Sequence, residues 1–282
     1  MVVDSFERWL DVDRYSGLSA EEARAGMDLI GGIRRWLLGE AALRAGDTVL
    51  EIGCGSGETL PDLLDAVGPQ GRVLAVDTSP GLCGRAAAVA AAHRWAERAC
   101  VQVGDMRALP YAPASVDAVI CRSVLQYAGD GLPDVAGELA RVLRPGGRLA
   151  AFEVLSAEGF PLLPVPATEA HAQAHAEALA RWRGLPWGLT RADLSRAFRP
   201  PLFCPVTLAA SLTEWHQPFS AAHFAGVLAQ VPRPGCPTLA QVYTDGLSSA
   251  ARAAWESLLA EAEHTAQVGA WAHLSARRAG GD

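Results

Sequence analysis

Residues 49–60 read VLEIGCGSGETL: a short apolar run, glycines at positions 53, 55 and 57, and then an acidic residue at the start of a helix-like stretch. Glycine adopts positive φ and lets the backbone approach a neighbour with no Cβ in between. The stretch therefore predicts a sharp strand-to-helix turn. This turn has either a structural role alone or a second role in holding a ligand against the main chain.

The surrounding sequence alternates short β-branched runs with longer Ala-rich helical stretches. Strands are predicted at 47–52, 72–77, 100–103, 116–121 and 147–154, and helices at 57–67, 80–97 and 132–143. Nearly continuous apolar strands are typical of a parallel sheet with helices on both faces, and the alternation predicts an open, doubly wound α/β sheet. Ligands of such sheets bind beyond the carboxyl ends of the strands, where the glycine turn lies.

Two phosphate-binding motifs do not fit the glycine turn. The phosphate-cradling loop GxxxxGK[ST] needs a lysine, and all 24 basic residues of this chain are arginine. The dinucleotide fingerprint GxGxxG, counted from Gly53, would place its last glycine at Glu58. A carboxylate at the start of a helix repels a pyrophosphate, so NAD is disfavoured.

Acidic residues lie at or near the carboxyl ends of the first three predicted strands. Asp77 ends the second strand, where a carboxylate can accept hydrogen bonds from ribose hydroxyls. Asp105 follows the third strand and can accept from an adenine amino group, and Glu51 precedes the glycines. Three carboxylates around one crevice favour a cationic ligand such as a sulfonium nucleoside.

Four stretches, VLEIGCGSG, VLAVDTSP, VQVGDMRALPYAPASVDAVICRSVLQYAGD and ELARVLRPGGRLAAFE, resemble in order and spacing the class I S-adenosylmethionine-dependent methyltransferases. The resemblance is closest to the ubiquinone/menaquinone-biosynthesis branch and covers roughly residues 40–155 and the last strand. It implies a Rossmann-like, doubly wound α/β fold with a seven-stranded sheet, a helical lid and insertions. It also implies methyl transfer to the oxygen, carbon or nitrogen of a small molecule in specialised-metabolite or quinone-like biosynthesis, with S-adenosyl-L-homocysteine as product.

The resemblance also implies site residues. The cofactor would contact Glu51, Gly53, Gly55, Gly57, Asp77, Thr78, Asp105, Met106 and Arg122, and the acceptor would meet Gln126 and Tyr127 after the fourth strand. The place of the [ND]PP[YF] motif of DNA-adenine and glutamine methyltransferases is taken here by CRSVL at 121–125, which argues against those substrates.

Four segments are predicted: an N-terminal helical lid at 1–40, the S-adenosylmethionine-binding core at 41–155, a helical cap for the substrate at 156–204, and C-terminal strands with a helical insertion at 205–282. Residues 159–167 are predicted to be a Pro-rich connection. Further helices are predicted at 168–183, 190–198, 220–229 and 247–263, with a sixth strand at 205–211 and an antiparallel seventh at 269–278.

Several aromatic residues and histidines are candidates for the acceptor side, each with a structural alternative. His171 and His175 share one face of a helix, where they are either surface or hydrogen-bonded histidines or a general base. No third ligand or HExxH motif accompanies them, so no metal is expected. His216 is a second candidate base, and Tyr127 a third candidate catalytic residue. Tyr15, Trp187 and Trp215 would line the site or pack in the core.

Composition narrows the classes of protein and partner. A net charge of −7 leaves no basic field for nucleic acid, and no apolar run reaches membrane-spanning length. Six cysteines without a CxxC pair predict reduced thiols and a cytoplasmic location, and the N-terminus does not resemble a signal peptide. The oligomeric state stays open, a homodimer included.

Three other functions stay open at this point. The fold could bind S-adenosylmethionine and guide a cyclisation or rearrangement without methyl transfer. It could be a nicotinamide-dependent oxidoreductase, or a binding protein without catalysis. Intact glycine and acidic positions argue against the last of these.

Overall fold

The computed structural model describes residues 20–155, 158, 160–164, 168–183, 188–217, 238–245, 247–260 and 265–280. Its elements run in the order α1 (Ala20–Ala41), β1 (Thr48–Ile52), α2 (Leu60–Val67), β2 (Arg72–Asp77), α3 (Pro80–Ala91), β3 (Ala99–Val103), β4 (Val116–Arg122), α4 (Leu132–Val142), β5 (Leu143–Val154), β6 (Phe160–Pro164), α5 (Glu169–Arg183), α6 (Arg191–Ala197), β7 (Phe203–Gln217), α7 (Leu239–Thr244), α8 (Ser249–Ala260) and β8 (Thr265–Arg278). Short 3-10 segments lie at Ala96–Arg98 and Leu125–Gly131.

The strands form one mixed sheet in the order β3-β2-β1-β4-β5-β8-β6, and β7 also pairs with β8. The first five strands pair in parallel, and β8 runs antiparallel to β5. The chain moves outward in one direction from β1 to β3 and then crosses to β4 on the other side of β1, so the strand order reverses between β1 and β4. The predicted doubly wound sheet with an antiparallel last strand is confirmed, and the glycine turn after β1 lies at its switch point.

The chain divides into two compact units. The first, called the core unit here, comprises Leu29–Val154, Leu189–Ala210 and Trp271–Asp282. The second unit comprises Met1–Asp28, Leu155–Gly188 and Ser211–Ala270. In the second unit, α5 packs against α7, α8 and β6, and Trp255 of α8 is buried. The four predicted segments and the proposed roles of lid and cap stay predictions.

The core unit is built on aliphatic side chains that the apolar strands bring to one face of the sheet. Val49 of β1, Ile120 of β4 and Ala150 of β5 pack with Leu60 and Leu64 of α2, and all five are buried. Burying a side chain of the size of valine, leucine or isoleucine stabilises the folded state by about 1.5–3 kcal/mol compared with leaving it exposed to water. This packing fixes β1 and α2, and therefore both ends of the glycine turn between them.

Aromatic side chains attach α1 to the same sheet. The ring of Trp36 lies edge-on to His273 with centroids 4.6 Å apart, and Phe152 contacts both His273 at 5.0 Å and Trp271 at 5.5 Å. Burial lowers the pKa of His273, and the charge of Glu40 opposes that shift. The cluster places the second half of α1 beside the carboxyl ends of β4 and β5.

The structure corrects some predicted boundaries. The predicted Pro-rich connection at 159–167 contains β6, which pairs with the start of β8 through Phe160 and Val268. Its prolines are tolerated because an edge strand has N–H groups that need no ladder partner. Helix α2 begins at Leu60 and not at 57, because the positive φ of Gly57 is incompatible with a helix.

Other predicted elements agree more closely. Helix α5 begins after Thr168, whose hydroxyl accepts from the backbone N–H of His171 at 3.1 Å, and α6 has a capping box formed by Thr190 and Asp193. Helix α8 lies within the helix predicted at 247–263. Strand β8 includes the strand predicted at 269–278 and begins four residues earlier. The helix predicted at 220–229 lies outside the described residues. No helix in the described ranges combines the length and the apolar character needed to cross a membrane.

Candidate active site

The glycine turn after β1 combines three positive-φ glycines with different surroundings. Gly53, Gly55 and Gly57 have φ of 64°, 54° and 87°. A Cβ on Gly53 would lie 2.3 Å from a methyl group of Val124, and a Cβ on Gly57 would lie 2.7 Å from the Cα of Ala86 in α3. A Cβ on Gly55 would meet no described atom within 4 Å. The outer two glycines are therefore required by packing, and the middle one leaves open room beside the turn.

Asp77 connects this turn to the end of β2. Its Oδ2 accepts from the backbone N–H of Gly55 and its Oδ1 from that of Ser79, both at 3.0 Å. The carboxylate is half-buried, and each of its oxygens has a second lone pair that can accept from a ligand hydroxyl. Thr78 beside it is exposed. The sheet thus brings the predicted ribose-binding carboxylate against the middle glycine.

Glu51 lies beneath the turn with only 5% of its surface exposed. Its Oε2 is buried and has no hydrogen-bond partner among the described residues. Burial raises the pKa of Glu51 to about 7, with Glu58 and Asp77 adding to the shift, while a hydrogen bond with Thr59 and the charge of Arg122 oppose it. A carboxyl group in this state can gain or lose its charge near neutral pH and can accept from a cationic donor.

Arg122 at the end of β4 faces the other side of the turn. Its Nη2 lies 3.3 Å from Oε2 of Glu58, and Nη1 of Arg34 in α1 donates to the carbonyl of Glu58 at 3.0 Å. Three carboxylates, Glu51, Glu58 and Asp77, therefore lie around the turn, against two arginines that both contact Glu58. This balance of charge is unfavourable for a pyrophosphate, as the sequence predicted, and favours a ligand with positive charge.

The loop after β3 carries the third predicted carboxylate. Asp105 is half-exposed, and its Oδ1 accepts from the backbone N–H of Arg107 at 2.8 Å. Met106 is buried. The guanidinium of Arg107 lies 3.5 Å from Asp105 and also donates to the carbonyls of Tyr127 and Ala128 at 3.1 and 3.2 Å. Arg107 thus connects the loop of the predicted adenine-binding residue to the segment that follows β4.

The segment after β4 carries the predicted acceptor-side residues. Gln126 donates from its side-chain amide to the carbonyl of Ser123 at 3.2 Å, and Tyr127 is half-buried in the 3-10 segment. Together with Arg122, these residues lie where β4 ends, beside the glycine turn. The structure therefore brings all the predicted cofactor positions and two predicted acceptor positions to one edge of the sheet.

The remaining candidates belong to the second unit or fall outside the described residues. Tyr15 and Trp187 fall outside the described residues. For His175, Trp215 and His216 only the backbone is described; the expectation that Trp215 and His216 follow the sixth strand is wrong, because β7 continues to Gln217. The apolar and β-branched residues that precede them extend the strand. His171 is buried in α5 of the second unit, and its Nδ1 has no hydrogen-bond partner in the described part of the chain.

Two residues of the core unit were not predicted. Arg107 connects two loops, and Glu153 of β5 is fully buried with its carboxylate bonded to the segment after β4. A signal for Glu153 exists in the sequence, since it is the single charged residue in the apolar run LAAFEV. A charge inside a buried strand needs hydrogen-bond partners, and those partners are expected near the strand's end.

The sheet order, the glycine turn at the switch point and the carboxylates at the carboxyl ends of β1, β2 and β3 define a Rossmann-like nucleoside-binding fold. Residues 49–147 match the family model described as a methyltransferase domain. These residues therefore form a methyltransferase domain, and the resemblance of the sequence motifs to the class I S-adenosylmethionine-dependent methyltransferases is confirmed.

Curated relatives agree over the same part of the chain. The 27-O-demethylrifamycin SV methyltransferase of Amycolatopsis mediterranei is 38% identical over 134 residues, which are 46% of this chain and 45% of the relative. The demethylmenaquinone methyltransferase of Symbiobacterium thermophilum is 31% identical over 121 residues, which are 42% of this chain and 47% of the relative. The chain thus spans about half the length of these relatives.

Among solved structures, the geranyl diphosphate C-methyltransferase of Streptomyces coelicolor A3(2), crystallised with S-adenosyl-L-homocysteine, superposes with a TM-score of 0.53. It is 17% identical, and the alignment covers 89% of this chain and 80% of that one. At this identity the similarity supports the fold and not the choice of substrate.

Proposed function

We propose that this protein is a small-molecule methyltransferase that uses S-adenosyl-L-methionine and releases S-adenosyl-L-homocysteine. The observation that carries the proposal is the glycine turn at the switch point, with open room at Gly55 and carboxylates on both sides of it. The family match of residues 49–147 supports the same cofactor. The relatives named above favour a specialised-metabolite or quinone-like acceptor, methylated on oxygen, carbon or nitrogen.

The residues around the turn fit the cofactor's chemistry group by group. The unpartnered, buried Oε2 of Glu51 is suited to an ammonium donor of the methionine moiety. Asp77 has lone pairs left for the ribose hydroxyls, and half-exposed Asp105 can accept from the adenine amino group. Gly55 lets the main chain approach the ligand because no Cβ stands in the way.

The cofactor supplies an activated sulfonium methyl group, which a nucleophile of the acceptor displaces in line. The protein's contribution is then mainly to hold and align two reactants, and alignment can supply roughly 7–11 kcal/mol in favourable cases. Gln126 and Tyr127 are the proposed acceptor-side contacts, and Arg122 orients Glu58 at the edge of the site. A base is needed only for acceptors that lose a proton; Tyr127, His175 and His216 stay the candidates for that role.

The affinity for S-adenosyl-L-methionine is expected to rise with pH because the pKa of Glu51 is raised to about 7. The carboxyl group is mostly neutral at pH 6 and mostly ionised at pH 8, and only the ionised form attracts the cationic ligand. If the ionised form alone binds, Kd falls by roughly tenfold between these pH values, and binding releases a proton near pH 7. Calorimetry in two buffers of different ionisation enthalpy measures both quantities.

The control for this pH dependence is Glu51→Gln, because the pKa of buried Glu153 is also raised to about 7. We expect weaker binding and a flat pH profile in this variant. If the affinity of Glu51→Gln still rose with pH as in wild type, another group would be responsible, and Glu153 would be the next to test. Without ligand, the folded protein holds more protons on Glu51 and Glu153 than the unfolded chain does between about pH 4.5 and 7. The free energy of unfolding is therefore expected to fall as the pH rises through that range.

A turnover screen tests the proposed activity. The protein is incubated with S-adenosyl-L-methionine and a panel of phenols, hydroquinones, carboxylic acids and amines, and S-adenosyl-L-homocysteine is quantified by mass spectrometry. Methyl transfer predicts S-adenosyl-L-homocysteine in an amount equal to that of the methylated acceptor. Asp77→Ala should form less of both products when the cofactor concentration is below saturation. An acceptor converted to an isomer without cofactor consumption would favour the non-methylating alternative.

A further inference from the structure

Glu153 of β5 is a buried carboxylate with no role in the function proposed so far. Its side chain is fully buried, with 0% of the residue exposed, and it makes no ion pair with any described residue. A buried carboxylate costs several kcal/mol unless hydrogen bonds compensate the lost water. Its partners therefore indicate what the residue holds in place.

Those partners are backbone N–H groups of the segment that follows β4. Oε1 of Glu153 accepts from Val124 at 3.0 Å, and Oε2 accepts from Gln126 at 3.4 Å. Burial raises the pKa of Glu153 to about 7, while the backbone hydrogen bonds from Val124, Leu125 and Gln126 oppose the rise. Both oxygens of one side chain are thus used on a single short segment.

The backbone of this segment is one that local sequence does not favour. Ser123 has φ of 58°, a conformation that costs a non-glycine residue roughly 1–3 kcal/mol and persists only where surrounding contacts impose it. Its N–H donates to the carbonyl of Phe152, the residue before Glu153, at 2.8 Å. The strand end at Phe152 and Glu153 therefore imposes the bend.

The same segment contacts both the glycine turn and the loop that carries Asp105. Val124 lies directly against Gly53 of the glycine turn, and Arg107 binds the carbonyls of Tyr127 and Ala128 from the Asp105 loop. Glu153 of β5 binds the same segment through the N–H groups of Val124 and Gln126. Moving this segment would move Gln126 and Tyr127, the proposed acceptor-side residues.

We propose that Glu153 is a positioning residue for the acceptor side of the site: its carboxylate fixes the bend at Ser123–Gln126 and so sets where Gln126 and Tyr127 stand. This role rests on the proposed function, because Gln126 and Tyr127 contact an acceptor only if the protein is a methyltransferase. Its test needs no acceptor, so a failed methyltransferase assay and a failed positioning role remain distinguishable.

The test compares amide hydrogen exchange in wild type, Glu153→Gln and Asp117→Asn, each with saturating S-adenosyl-L-homocysteine. Glu153→Gln keeps the side-chain size but replaces one acceptor oxygen by a donor facing a backbone N–H. We expect exchange at Val124 and Gln126 to become at least tenfold faster, with the dissociation constant for S-adenosyl-L-homocysteine within threefold of wild type. Asp117→Asn removes a similar bond, from the N–H of Thr48 at 2.8 Å, at the opposite end of the sheet.

The control is expected to speed exchange at Thr48 and to leave Val124 and Gln126 unchanged. Unchanged protection of Val124 and Gln126 in folded Glu153→Gln would overturn the proposal. So would faster exchange throughout the sheet, which would show a general role in stability, or a large loss of S-adenosyl-L-homocysteine affinity, which would place the effect on the cofactor side. If Glu153→Gln fails to fold, Gln126→Pro removes the N–H donor of Gln126. Local loss of protection at Val124 is then the expected result, and unchanged protection there would overturn the proposal.

Discussion

Asp77→Ala is expected to bind S-adenosyl-L-methionine at least tenfold more weakly than wild type while staying folded. The carboxylate offers charged acceptors to the ribose hydroxyls, and hydrogen bonds to a charged partner are about twice as strong as neutral ones. It also accepts from the N–H groups of Gly55 and Ser79, so its loss frees the glycine turn as well. A tenfold loss corresponds to about 1.4 kcal/mol, and losing both functions should exceed that.

Two variants control for other causes of this loss. Asp65→Ala removes the same charge from an exposed position in α2, where the carboxylate contacts Arg94 and His93. Its affinity should stay within twofold of wild type. Asp77→Asn keeps the size of the side chain and one acceptor oxygen, and we expect an intermediate affinity. Unchanged affinity in folded Asp77→Ala, measured by calorimetry, would remove Asp77 from the cofactor site.

Gly57→Ala is expected to lower the stability of the core unit strongly. The new Cβ would lie 2.7 Å from the Cα of Ala86, a backbone atom of α3 that cannot rotate away, and φ at this position is 87°. The positive φ costs roughly 1–2 kcal/mol for alanine and overpacking about 1–3 kcal/mol. At about 2–4 °C per kcal/mol, Tm should fall by roughly 4–20 °C.

Gly84→Ala is the matched control because it adds the same methyl group to α3 itself. Gly84 is exposed in the helix, and a Cβ there would meet nothing within 4 Å. Alanine in a helix is favoured over glycine by roughly 0.5–1 kcal/mol, so Tm should rise slightly. Equal Tm values for the two variants in thermal unfolding would contradict the packing of the turn against α3.

The sequence was sufficient for the sheet and for the cofactor side of the site because those signals are local. β-Branched runs mark the strands, and Gly53, Gly55 and Gly57 mark the turn. The position of Asp77 at the end of β2 follows from the strand itself. Since the carboxyl ends of parallel strands meet at one edge, strand ends and switch point were enough to bring these residues together.

Other features depended on contacts that one sequence does not reveal. The role of Glu153 requires knowing that β5 lies beside β4, whose following segment supplies the N–H partners. The cluster of Trp36, Phe152 and His273 joins three parts of the chain that are far apart in sequence. Strand β6 was missed because its prolines indicate a connection unless the edge position is known.

The acceptor side was predicted least well because its determinants are not confined to recurrent motifs. Tyr127 follows β4 and was found by resemblance, while His171, predicted on helical spacing, is buried in the second unit with its backbone N–H bonded to Thr168. Helical spacing shows which residues share a face but not what that face contacts.

The most direct test of the central claim is a parallel calorimetric titration of the purified protein with S-adenosyl-L-methionine, S-adenosyl-L-homocysteine and NADH. We predict micromolar binding of the two sulfur nucleosides, weakened in Asp77→Ala, and no binding of NADH. Such a result would support the view that the glycine turn receives a methionine-bearing nucleoside between Glu51 and Asp77. Binding of NADH, or of neither sulfur nucleoside to the folded protein, would contradict it.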